Sequence, residues 1–188
     1  MPAAISKNCE VRIIGGSWRS RRIRFADRPG LRPTPDRVRE TLFNWLGQDL
    51  EGQDCLDLFA GSGALGFEAA SRGARRVLMV ECDAAAASAL QTNREVLAAD
   101  AVEVVRADAL EFLKHHRARY DVVFLDPPFA DDCWPQLLPL LPQCLKPGAL
   151  IYCERAEPLV TVPGWEIHKA GRAGQVSHQL LKRAEHEQ

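Results

Sequence analysis

From Asp54 to Leu125 the chain alternates between two periodicities, and that alternation leaves few folds open. Short apolar runs at Asp54–Phe59, Arg76–Glu81, Val102–Arg106 and Tyr120–Leu125 read as strands. Between them, Ala64–Arg72, Ala84–Ala98 and Ala109–Arg117 read as helices. A helix between successive strands is the crossover of a βαβ unit, which brings the chain back parallel to itself. Tyr120–Leu125 is almost continuously apolar, as a strand covered on both faces must be. The fold class is therefore α/β, an open and mostly parallel sheet with helices on both sides. A helical stretch from Cys133 to Leu145, interrupted by Pro135, Pro139 and Pro142, precedes a strand at Ala149–Glu154. Trp165–Lys169 and Gln175–Lys182 are expected to pair as antiparallel strands at one end of the sheet.

Residues 1–47 form an extension ahead of this body, which spans 48–188. Val11–Gly16 and Arg21–Phe25 read as the strands of a hairpin, with a turn or bulge at Gly15-Gly16-Ser17. A helix follows, with Thr34 as N-cap, Pro35 at the first helical position and Asp36 in the first turn. Its apolar stripe is Val38, Leu42, Trp45 and Leu46; Arg37 and Arg39 fall largely off it.

Ligands of an open parallel sheet bind beyond the carboxyl ends of its strands. The first such end reads Asp57-Leu58-Phe59-Ala60-Gly61-Ser62-Gly63-Ala64-Leu65-Gly66. Gly61, Gly63 and Gly66 allow a tight turn and a close approach by a ligand. Glu81 ends the second strand, twenty residues after Gly61, where a carboxylate accepts hydrogen bonds from ribose hydroxyls. That pattern alone serves a nicotinamide dinucleotide or S-adenosylmethionine. Asp57 favours the second, because a carboxylate suits an ammonium and a sulfonium better than a pyrophosphate. Asp108, after the third strand, is placed to accept from an adenine amino group or to cap the helix behind it.

The fourth strand ends in Asp126-Pro127-Pro128-Phe129. An exocyclic base amine is a poor nucleophile because its lone pair is delocalised into the ring. The Asp126 carboxylate and the Pro127 carbonyl are two acceptors that hold such an amine and turn its lone pair toward a methyl donor. Proline offers no N–H to compete for them, and Phe129 offers a face for the base to stack on.

A net charge of −1 conceals an asymmetry. Residues 1–47 carry ten Lys or Arg against four Asp or Glu; the remainder carries fourteen against twenty-one. Arg12, Arg19, Arg21, Arg22, Arg24, Arg28, Arg32, Arg37 and Arg39 gather around Trp18 in the extension. Forked donors suit phosphate and an indole suits stacking, so this arm points to a nucleic acid. Arg12, Arg19, Arg32, Arg37 and Arg39 are the candidate contacts. Six cysteines without paired spacing and five histidines without a ligand pattern predict no metal site and no disulfide framework. No apolar run is long enough to span a membrane and no secretory leader is evident, so a cytoplasmic protein is expected.

These stretches resemble the bacterial small-subunit (16S) ribosomal RNA guanine-N2 methyltransferases of the RsmD type. The resemblance runs through Arg12-Ile13-Ile14-Gly15-Gly16, Trp18-Arg19, Leu31-Arg32-Pro33-Thr34, Asp36 to Leu46, Phe59 to Gly66, Asp126 to Phe129 and Gly174-Gln175-Val176. It implies a Rossmann-like S-adenosylmethionine-dependent methyltransferase fold, with a seven-stranded sheet and a small N-terminal extension. It implies methylation of guanine N2 in the P-site hairpin loop of 16S rRNA, within an assembling or assembled small subunit. By motif position Asp57, Phe59, Gly61, Gly63, Glu81 and Asp108 would bind the cofactor, and Asp126, Pro127 and Phe129 the base. Three rival readings are a DNA adenine-N6 methyltransferase, a nicotinamide-dependent oxidoreductase and a non-catalytic RNA-binding module. The first shares the amine-holding chemistry, so the choice of base rests on the resemblance. The second leaves Asp126 to Phe129 unexplained. The third predicts no turnover to lose when Asp126 is replaced.

Overall fold

The computed structural model describes residues 9–128 and 133–184. The chain opens with β1 (Glu10–Arg12) and β2 (Arg22–Arg24), paired antiparallel with Val11 opposite Ile23, and then α1 (Asp36–Trp45). The body alternates as the periodicity predicts. Its elements are β3 (Asp54–Asp57), α2 (Ala64–Ser71), β4 (Arg76–Glu81), α3 (Ala84–Leu97), β5 (Val102–Arg106), α4 (Ala109–His115) and β6 (Tyr120–Leu125). A short helix α5 (Trp134–Leu137) and a 3-10 turn (Leu141–Cys144) lead into β7 (Leu145–Arg155). The strands β8 (Trp165–Ala173) and β9 (Val176–Arg183) complete the sheet.

The seven strands run in the order β5-β4-β3-β6-β7-β9-β8. The first five are parallel, and β9 lies antiparallel between β7 and β8. From β3 the chain moves outward to β4 and β5, then crosses back to β6 on the other side. The crevice between the ends of β3 and β6 is therefore the topological switch point, where such sheets bind ligands.

Successive residues of the central strands enter opposite cores, as the strand period of two requires. Cys55, Val77, Met79, Val122, Phe124 and Tyr152 join one buried cluster; Leu56, Leu78, Val80, Val123, Leu125 and Cys153 join the other. The extension belongs to the first cluster. Val11, Ile13, Ile23, Phe25, Val38, Leu42 and Phe43 pack there with Phe67 and Phe124. Residues 9–47 thus cover one face of the sheet.

Glu68 of α2 bonds this cover in place. Its Oε1 accepts from Gly15 N at 2.8 Å and Arg72 Nε at 2.9 Å; its Oε2 accepts from Ile14 N at 2.9 Å and Arg39 Nη1 at 3.2 Å. Four donors satisfy a carboxylate that is wholly buried. This is why the hairpin strands are shorter than their apolar pattern suggests. The amides of Ile14 and Gly15 turn to Glu68, and Ser17 N turns to Ser71 O at 2.7 Å, leaving the ladder.

Two expectations about α1 are corrected. Arg39, expected to face nucleic acid, is fully buried. Its Nε donates to Thr34 O at 3.0 Å, and its guanidinium pairs with both Glu68 and Asp36. Each of its three nitrogens donates within the protein, and the side chain is buried away from the surface where RNA would lie. Thr34 does not cap the helix; Pro35 occupies the cap position, without a side-chain cap bond. The Thr34 hydroxyl donates instead to Glu154 Oε1 at 3.0 Å. The cysteines also divide: Cys55, Cys144 and Cys153 are buried, whereas Cys82 lies just past β4 and is exposed. Among the described residues, no helix is long and apolar enough to cross a membrane.

Candidate active site at the carboxyl edge of the sheet

The end of β3 and the glycine loop make one side of the crevice. Asp57 is buried, and its Oδ2 accepts from Gly66 N at 3.0 Å, tying the strand to the first turn of α2. A Cβ at Gly66 would crowd the end of the Met79 side chain and the Asp57 carboxylate. Gly63 sits at the cap of α2 with φ 79°, the left-handed conformation that L side chains resist, and a Cβ would meet Leu90 and Phe67. Burial pushes the Asp57 carboxyl up to about 7; the Gly66 and Phe59 amides oppose this and the Glu81 charge adds to it. Asp57 has no ion-pair partner among the described residues.

Glu81 ends β4 as expected. Its Oε2 accepts from Gly61 N at 2.9 Å and its Oε1 from Asp83 N at 2.8 Å. The Cys82 thiol also donates to Oε1 at 3.7 Å, so Oε2, with Gly61 N as its one donor, has the freer acceptor capacity. Phe59 is partly exposed beside this edge, packed against the second core cluster. Asp108 caps α4, accepting from Glu111 N at 3.0 Å through Oδ1. The capping role is therefore present, and no hydrogen bond is shown for the other oxygen of this exposed carboxylate.

Asp126 and Pro127 stand at the end of β6, across the switch point from Asp57. No hydrogen bond or ion pair holds the Asp126 carboxylate among the described residues. Burial pushes its pKa well above the carboxylate range, with the charges of Glu154 and Asp57 adding to the rise. Phe129 lies outside the described residues.

Glu154 is the residue the sequence reading missed. It is the next-to-last residue of β7, one step past the last registered pair of β6 and β7, Leu125 with Cys153, so it lies beside Asp126. It is only 6% exposed, and burial raises its pKa while hydrogen bonds from Tyr152 and Thr34 resist. The rule that ligands meet the carboxyl ends of parallel strands, applied to Ala149–Glu154, would have found it. Arg155, next along, lies over the Trp134 ring at 4.9 Å and has a buried Nη1 without a partner.

The segment between β2 and α1 crosses this edge. Arg28 pairs with Asp83 at 3.2 Å, the Leu31 side chain comes up against Gly61, and Thr34 reaches Glu154. The extension therefore spans the mouth of the crevice from the end of β4 to the end of β7. Outward from it, Arg12, Arg19, Arg32 and Arg37 are exposed. Arg12 pairs with Asp36 at 3.1 Å; Arg19, Arg32 and Arg37 have no ion pair among the described residues. Trp18 is partly buried against the core.

A parallel sheet with a glycine loop after its first strand, an acid ending the second and Asp-Pro-Pro ending the fourth defines a Rossmann-like methyltransferase. Known proteins agree. The structure matches a putative methyltransferase, yhhF, from Escherichia coli with TM-score 0.84 and 43% identity, over 93% of this chain and 98% of that one. A putative methylase from Haemophilus influenzae matches with TM-score 0.78 and 43% identity, over 94% and 99% of the two chains. Residues 11–182 match the family model described as Conserved hypothetical protein 95. The Ribosomal RNA small subunit methyltransferase D of H. influenzae is 46% identical over 181 residues, covering 92% of this chain and 94% of that protein. The protein of the same name from E. coli K12 is 45% identical over 179 residues, covering 93% and 90%. The chain belongs to this family of small-subunit ribosomal RNA methyltransferases.

Proposed function

We propose that the chain transfers a methyl group from S-adenosylmethionine to the exocyclic N2 of a guanine in the P-site hairpin loop of 16S rRNA, within an assembling or assembled small subunit. The observation that carries this reading is the pairing, across the switch point, of an uncompensated buried acid, Asp57, with Asp126 and the Pro127 carbonyl. The residues fit the cofactor. Its positive charge answers Asp57, its ribose suits Glu81, its adenine amine suits Asp108, and Gly61, Gly63 and Phe59 line its path.

When bound, the cofactor supplies an electrophilic methyl on a sulfonium. The residues of the chain do the rest by positioning. Asp126 and the Pro127 carbonyl accept the two N–H groups of the target amine, so its lone pair points at the methyl carbon. Positive charge develops on that nitrogen as the N–C bond forms and the S–C bond breaks, and the Asp126 carboxylate stabilises it. The alkylated amine is acidic, and its proton leaves to Asp126 or water. Phe129 stacks on the base. The exposed Arg12, Arg19, Arg32 and Arg37 of the extension hold RNA phosphates; Arg39 does not.

The test uses methyl-labelled S-adenosylmethionine and small subunits from cells lacking the modification, with nucleoside analysis after digestion. Label in N2-methylguanosine supports the reading. Label in another nucleoside, or none while S-adenosylhomocysteine still binds, refutes the choice of base.

A further inference from the structure

Glu154 is a buried carboxylate that the mechanism above does not use. Both hydrogen bonds recorded for its side chain fall on one oxygen. Thr34 Oγ1 donates to Oε1 at 3.0 Å and Tyr152 OH donates to the same atom at 2.8 Å. The other oxygen, Oε2, meets no donor among the described residues, on a residue that is 94% buried by its 6% exposure. Oε2 is not among the fully buried partnerless atoms, so this oxygen of a largely buried side chain keeps contact with solvent and is open to a donor from a ligand. Its neighbour Asp126 is the proposed amine holder, and the two acids affect each other electrostatically. No cation pairs with either among the described residues.

The edge of guanine presents donors side by side, the ring N1–H and the two N–H of the N2 amine. Two adjacent carboxylates and the Pro127 carbonyl are a matching row of acceptors. The edge of adenine offers an amine beside an unprotonated N1, which would set a lone pair against a carboxylate. We infer that Glu154 selects the base, its Oε2 accepting the guanine N1–H while Asp126 holds the N2 amine. Thr34 and Tyr152 are positioning residues that fix the other oxygen and so aim Oε2. This rests on the guanine-N2 reading. It also gives the segment over the crevice a role in choosing the base, because Thr34 belongs to that segment.

The test compares two small-subunit substrates that differ at one nucleotide, guanosine or 2,6-diaminopurine riboside at the target position. Both carry an N2 amine, but only guanosine has a proton on N1. Wild-type protein should prefer guanosine by about 10–100-fold in kcat/KM, the range expected of one charge-assisted hydrogen bond. Glu154→Gln should cut that preference about tenfold or more, because an amide can turn its N–H toward an unprotonated N1. An unchanged preference, or an equal loss on both substrates, overturns the inference. Should Glu154→Gln fail to fold, as judged by melting and S-adenosylhomocysteine binding, Thr34→Val and Tyr152→Phe decide. A reduced preference in these supports the inference and an unchanged one overturns it. Wild-type protein that makes N2-methylguanosine yet accepts both substrates equally sinks the inference alone. Wild-type protein that makes no N2-methylguanosine sinks the guanine reading, and this inference with it.

Discussion

Replacing Arg39 by alanine separates a core residue from an RNA contact. In the structure the Arg39 side chain is 1% exposed and reaches Glu68, Asp36 and the Thr34 carbonyl. Removing one partner of a buried ion pair costs about 3–5 kcal/mol, because the other charge is left in a poor solvent. Here Glu68 keeps Arg72 and two backbone amides, so its charge is not abandoned, and the lower end of that range applies to the pair. The Thr34 carbonyl loses its recorded side-chain donor, which adds about 1 kcal/mol or more. Arg39→Ala should therefore lose about 3–4 kcal/mol, a large share of the roughly 5–15 kcal/mol that domains possess. Equilibrium unfolding in urea at neutral pH measures it, with the slope checked for two-state behaviour. The fraction that remains folded should bind ribosomal RNA with an unchanged salt dependence. A loss below about 1 kcal/mol, joined to a drop of about one in the salt slope, would refute the structural role and restore the phosphate contact.

Other perturbations probe the site directly. Asp126→Ala should lower kcat by about 100–1,000-fold, as removal of a group that stabilises developing charge does, while S-adenosylhomocysteine affinity by calorimetry stays within about twofold. Retained turnover would remove Asp126 from the mechanism. Asp57 is held up to about 7, above its ordinary value, so in the empty protein it carries a proton below that pH. Cofactor binding needs the ionised form, so affinity should fall as pH drops below about 7, with proton release on binding near neutrality. In the same window the stability of the empty protein should decline as pH rises through the folded pKa, because the ionised acid is disfavoured in the fold. Asp57→Asn should flatten both dependences, and a wild-type binding profile already flat from pH 5 to about 8 would contradict the assignment. Arg37→Ala and Arg32→Ala, at exposed positions, should each reduce the salt slope of RNA binding by about one, without changing melting. A changed melting temperature with an unchanged slope would place them elsewhere.

The sheet was legible in the sequence because its signals are local. β4, β5 and β6 begin and end where the apolar runs do, and α2, α3 and α4 differ from expectation only in their last residues. The placement of Asp57, the glycine loop, Glu81 and Asp126 at one edge was legible too, because a parallel sheet brings the ends of its strands together and each end is marked in the chain. The broken stretch after Cys133 was harder. Its prolines divided it into α5 and a 3-10 turn, with β7 starting at Leu145, four residues ahead of the expected strand.

What the sequence determined by itself was thus the order of elements and the chemistry at their ends, since periodicity and turn residues act over a few positions. Only the tertiary structure decided the fate of residues whose partners lie far along the chain. Arg39 reads as one more exposed arginine until Glu68 is folded beneath it, 29 positions away. Thr34 reads as a helix cap until Glu154 arrives from 120 positions away and takes its hydroxyl. Glu154 itself reads as a strand end. A buried charge must find its partners wherever the fold places them, and no local pattern records that search.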